Sequence, residues 1–212
     1  SDTLILEGDK DLAYTQLVNN RYYSPNFLIL AYTPSENLFS DNTLQNIESI
    51  SSNLLKLDSV LSVTSILNVP LLLSPPLKIT ELLDNIPNIK SEGIDLNLVK
   101  NEFINSPIYK DNLVSRDFKT TSIIINLKED INAFQLRDKR NELRKKQIQK
   151  LLDENEIKEL KIITKKYKKH QELSKIKNEK IIKNIRKIMM PYQTKEVIFL
   201  GGLNMITNDV IN

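Results

Sequence analysis

The sequence predicts an α+β fold, with one small sheet of four strands, helices between them, and a long charged helical insertion before the last strand. Three observations carry this expectation. Branched and aromatic runs at Phe27–Thr33, Val60–Ile66, Thr120–Lys128 and Glu196–Leu200 have the length and composition of strands. An amphipathic stretch with apolar residues at steps of three and four separates the first two. The sixty residues from Ile131 to Met190 contain neither Gly nor Pro and are dominated by Lys, Glu, Leu and Ile.

The elements follow in order. The first 25 residues predict a short helix near Lys10–Asn19 with irregular flanks. Phe27-Leu-Ile-Leu-Ala-Tyr-Thr33 is the first strand, ended by Pro34-Ser35. Asp41-Asn-Thr43 offers capping side chains, and Leu44, Ile47, Ile50, Leu54 and Leu57 make one apolar helix face. Val60–Ile66 is rich in β-branched residues.

Leu67 to Phe118 is irregular, punctuated by Pro70, Pro75, Pro76, Pro87 and Pro107, with short helices expected at Ile79–Leu83 and Leu96–Ile104. The third strand centres on Ile123-Ile-Ile125, an unbroken apolar run that predicts burial on both faces. Sixty helical residues would span about 90 Å, so the segment should fold back as a hairpin, with its break near Asp153-Glu-Asn155. Pro191 stops the helix, Gly201-Gly202 ends the fourth strand, and Leu203–Asn212 could begin another helix.

Without its insertions this order is βαββαβ, the ferredoxin-like pattern: a four-stranded sheet with helices on one face. One domain over residues 1–212 is expected, with a sheet core from 26–130 plus 191–202 and a helical hairpin at 131–190. That fold hosts many functions and names none.

Composition narrows the function classes. About 40 % of the 212 residues are apolar and 27 % charged, which places the chain among folded globular proteins. There is no cysteine, so disulfides, thiolate metal sites and cysteine nucleophiles are excluded. His170 is the only histidine, set among lysines where a solvated ring is expected, and it leaves no multi-histidine metal site. No enzyme, cofactor or metal is expected. No stretch reaches the roughly 18 apolar residues of a spanning helix, and no signal peptide opens the chain, so a targeting signal would lie outside it.

Three ordered segments carry a resemblance. They are Val63-Thr-Ser-Ile-Leu-Asn-Val-Pro70, Asn105-Ser-Pro-Ile-Tyr109 with Asn112-Leu-Val-Ser-Arg-Asp117 and Lys119-Thr-Thr121, and Phe199-Leu-Gly-Gly-Leu-Asn-Met-Ile206 with Asp209 beyond. In this order they resemble the first large extracytoplasmic loop of RND-superfamily exporters of the MMPL type, over nearly the whole chain. Phe118 departs from the pattern, standing where Gly is expected between Asp117 and Lys119.

The resemblance implies a porter-like domain on the extracytoplasmic side of a plasma-membrane protein. It forms part of the path for a hydrophobic or lipidic substrate. Its partners are its own transmembrane domain and a second extracytoplasmic loop. Proton-coupled transport would use intramembrane ionisable residues elsewhere in the polypeptide.

Several segments have competing readings. Val69–Leu77 is proline-broken yet strongly apolar. Leu71, Leu72, Leu73, Pro75 and Leu77 either wall a substrate crevice or tuck into the core.

The region Leu136–Met190 holds nineteen Lys or Arg against eight acidic residues. Lys139, Arg140, Arg144, Lys145 and Lys146 are the solvated face of a hairpin whose seam is Leu136, Leu143, Leu151, Leu160, Ile163 and Tyr167, or they meet anionic headgroups, or they track phosphates. Nucleic acid is the least expected, because aromatics are scarce there and no reading motif appears. A soluble binding module whose hairpin engages nucleic acid or a protein remains the alternative to the exporter domain.

Gly201-Gly202 lacks phosphate-loop spacing and predicts a turn with positive φ or a close approach. Ser115 and Asp117 predict turn chemistry rather than catalysis.

Overall fold

The computed structural model describes residues 26–74 and 86–202. The expected helices at Lys10–Asn19 and Ile79–Leu83, the Leu203–Asn212 segment, and Pro75, Leu77 and Asp209 lie outside the described residues.

Strands β1 (Phe27–Thr33), β2 (Val60–Thr64), β3 (Thr121–Leu127) and β4 (Val197–Gly201) form one antiparallel sheet in the order β2-β3-β1-β4. Among the described residues four helices accompany it: α1 (Asp41–Leu55), α2 (Leu96–Asn105), α3 (Ile131–Ile148) and α4 (Glu154–Met189). The last two form a long antiparallel pair.

Alternation sets the sheet's buried face. Leu28, Leu30 and Tyr32 of β1 lie beside Ile123 and Ile125 of β3, in the register Leu28–Ile125 and Leu30–Ile123. Ile124 between them is only half-buried, so β3 is not covered on both faces. The apolar run misled because Ile124 borders solvent on the sheet's open face. That face also carries exposed Val197 and Phe199 of β4. Leu61, exposed too, sits where the β2–β3 register shifts between Val60 and Ser62.

The α1 helix starts one residue before the expected caps. Ser40 is its N-cap, its hydroxyl accepting from Thr43 N–H at 3.2 Å, while Asp41 sits in the first turn. Ile47, Ile50 and Leu54 are fully buried against the sheet.

The hairpin breaks where the sequence expects. Asp153 caps α4 and Glu156 reaches back to the Asp153 N–H, a reciprocal capping box. Only the C-terminal end of α4, through Ile181, Ile185 and Met189, joins the central core. The rest of α4 pairs with α3 as a helical arm.

Candidate functional site

The Pro-rich segment after β2 is anchored rather than loose. Asn68 closes a turn on β2, accepting from Ser65 N–H at 2.8 Å and donating to Val63 O at 2.7 Å. The Tyr109 hydroxyl donates to Pro70 O, and Leu71 N–H donates to Pro87 O at 2.8 Å. Glu102 of α2, itself buried, accepts from Leu72 N–H at 2.7 Å and Leu73 N–H at 3.0 Å. Each carboxylate oxygen satisfies one backbone amide of the segment. Burial first, and then the Glu102 carboxylate, push the Tyr109 hydroxyl above its ordinary value and keep it a donor.

This geometry splits the expected crevice wall. Leu71 is wholly buried and belongs to the core, which corrects its place on the wall. The cause is the two-sided anchoring by Pro87 O and Glu102, which turns that side chain inward. Leu72 and Leu73 stand outward at the rim, Leu73 64 % exposed.

Ser115 and Asp117 form a turn. Ser115 Oγ lies 2.6 Å from Asp117 Oδ1 and accepts from Thr120 N–H at 3.0 Å, while Asp117 accepts from Lys119 N–H at 3.2 Å. The Ser115 hydroxyl, then the Lys119 amide, hold the Asp117 carboxyl below its usual value. Arg116 forks onto Asp111, Nε donating to Oδ1 and Nη2 to Oδ2, each at 3.0 Å. These bonds are spent on the loop itself.

At the end of β4, Gly202 has φ +146°, and a Cβ there would lie 2.9 Å from Leu28 Cδ2 and 3.1 Å from Phe27 O. Gly201 faces open space.

On the arm, the proposed basic face divides. Arg144 and Lys145 are exposed. Arg140 instead lies half-buried, its guanidinium 4.0 Å from the centre of the Tyr167 ring, so it belongs to the seam and not to the solvated face. The rotation of α3 against α4 brings it there. Lys146 pairs with Glu156 at 2.6 Å. Leu143 is the buried centre of the seam, with Leu136, Leu160 and Ile163 half-buried, while Leu151 is exposed in the connecting loop.

His170 is half-buried rather than fully solvated. Its Nε2 lies 2.8 Å from Asp130 Oδ2, the N-cap of α3, and Ser174 Oγ reaches the same oxygen at 3.4 Å. Both groups meet the carboxylate, so the serine does not stand on the imidazole and no Ser-His-Asp relay forms. Among the described residues no group of three or more His, Asp or Glu is placed to hold a metal.

A groove of about 630 Å³ opens between α3 and α4 beside the seam, floored by Leu136, Ile162 and Ile163 and rimmed by Lys139, Lys158 and Lys166.

The sequence reading missed Glu102, Asp130 and the His170 contact. Glu102 had a signal, since it sits on the helix face that carries Val99 and Phe103. Asp130 had one too, standing just before a helix start. The His170 contact had none, because it depends on how two helices pair.

No family model matches the chain, and neither a curated protein nor a solved structure matches it significantly. Among the described residues no helix is long and apolar enough to cross a membrane.

Proposed function

We propose that the chain is the extracytoplasmic, porter-like domain of a proton-driven RND-type exporter of the MMPL type. It lines part of the path of a hydrophobic or lipid-like substrate and catalyses nothing by itself. The observation that carries this reading is the ordered set of three segments, Val63–Pro70, Asn105–Thr121 and Phe199–Asp209, and the sheet order β2-β3-β1-β4, antiparallel throughout with the helical arm between β3 and β4, supports the fold it implies. That connectivity is what a ferredoxin-like split βαβ core with such an insertion requires.

Two further features support it. Leu72 and Leu73 offer an anchored apolar rim beside α2. Exposed Phe199, Val197 and Leu61 suit a domain that packs on neighbours, here its own transmembrane domain and second extracytoplasmic loop.

The complete gene product tests the reading. Apolar segments of about 20 residues should flank this chain on both sides, and polar flanks on both sides overturn it. In the full-length exporter, Leu72→Asp with Leu73→Asp should reduce export several-fold without lowering protein abundance. Unchanged export removes the rim from the path.

The second reading, a soluble module that binds nucleic acid or a protein, is favoured only by the charge of the arm. It requires salt-sensitive binding that weakens when Arg144 and Lys145 are neutralised. Arg140, engaged on Tyr167, is less free to serve it.

A further inference from the structure

The α4 helix presents a second long face, rotated by roughly 120° from the seam that meets α3. Lys158, Lys165, Lys166, Lys169, Lys180 and Lys183 all fall within about 50° of one line along it, and all are exposed. Ile162, Leu173 and Ile176 lie on the same line and are 56 %, 56 % and 63 % exposed. Glu159, Glu172 and Glu179 are turned about 70° or more away, so the arc carries no acid. The stripe runs about 38 Å from Lys158 to Lys183 and borders the α3–α4 groove at Ile162 and Lys166.

A solvated helix face usually mixes charge signs, because like charges three and four apart repel. Here the acids Glu159, Glu172 and Glu179 stand only at the edges of the arc, and its lysines are interleaved with large apolar side chains that face water. We infer that this stripe lies flat on an anionic phospholipid surface.

The chemistry of each residue fits that occupant. Ile162, Leu173 and Ile176 enter the boundary between headgroups and acyl chains. The lysines lay their aliphatic stems along the same boundary and raise their ammonium groups to the phosphates. Nucleic acid fits less well. The arc has no aromatic ring for a base to stack on and no Arg to fork onto a phosphate. Three branched apolar side chains would also be left among the phosphates. The inference stands whether or not the chain belongs to an exporter.

Co-sedimentation of the purified chain with vesicles tests it. The chain should pellet with vesicles of equal parts phosphatidylcholine and phosphatidylglycerol, and not with phosphatidylcholine alone. Lys165→Gln with Lys169→Gln and Lys180→Gln should weaken binding by on the order of a hundredfold, roughly what losing three surface cations implies. Ile162→Gln with Leu173→Gln and Ile176→Gln should weaken it by a similar factor. Arg144→Gln with Lys145→Gln, off this face, should change it less than about twofold.

All these positions are exposed and Gln is a good helix former, so circular dichroism should show each variant folded. Failure to pellet with either vesicle overturns the inference. So does an apolar triple variant that binds as well as the parent. Tighter binding to a single-stranded oligonucleotide than to the vesicles, lost only in the lysine variant, would assign the stripe to nucleic acid instead.

Discussion

Phe118 holds a left-handed backbone, φ +54°, that a bulky residue rarely adopts. The Ser115–Thr120 turn imposes it, and burial retains it. The ring packs edge-to-face on Phe39 with centroids 5.0 Å apart, and the Lys100 ammonium stands 5.3 Å above it. The backbone at this position is thus one that glycine adopts more readily than phenylalanine. Gly202 is the complementary case, with positive φ and no room beside Phe27 O. Gly202→Ala should destabilise the chain by about 1–3 kcal/mol in urea unfolding, while Gly201→Ala should cost little. The glycine pair was legible as a turn or close approach, because only a few physical reasons place Gly at a strand end. Which of the two glycines needs the freedom was not legible, since that depends on where Leu28 lies across the sheet.

Individual elements were most legible where periodicity and caps agree. The β1 run, the α1 face and the Asp153 break all follow from local chemistry that tertiary packing reinforces. Leu71 was not legible, because prolines erase periodicity and its burial depends on Glu102 thirty-one residues later. Glu102→Gln leaves one carbonyl oxygen for two amide donors and sets an NH2 group against one of them. It should cost about 1–3 kcal/mol and speed hydrogen exchange at Leu72 and Leu73. Unaltered exchange there would show that the loop is held by other contacts.

The α3 start carries a pH dependence. Burial pushes the Asp130 carboxyl up, but the His170 ring and the Ala133 amide outweigh it and hold the group below its ordinary value. A carboxyl depressed on folding contributes stability above its unfolded pKa and loses it as pH falls through the folded one. Acid should therefore loosen the α3–α4 pair, and Asp130→Asn should flatten that acid dependence in unfolding experiments. An equally steep acid limb in the variant would place the linkage elsewhere.

At the scale of the whole molecule, charge and apolar surface are sorted between two bodies. The sheet core carries an open face with Phe199, and the arm carries the basic excess together with its lysine stripe. The order of strands and the presence of the arm were legible from the sequence of elements. The rotation of α3 on α4 was not, because neither helix's own pattern fixes it, and the half-buried places of Arg140 and His170 depend on it. The proposed place of the domain, outside the plasma membrane, makes one direct demand. The chain has no cysteine, so Arg144→Cys, at an exposed site on the arm, adds a single thiol to it. That residue should be introduced into a full-length protein otherwise free of cysteine. Cells with an intact plasma membrane should then be treated with a membrane-impermeant maleimide. The account predicts labelling without lysis, and labelling that appears only after lysis contradicts it.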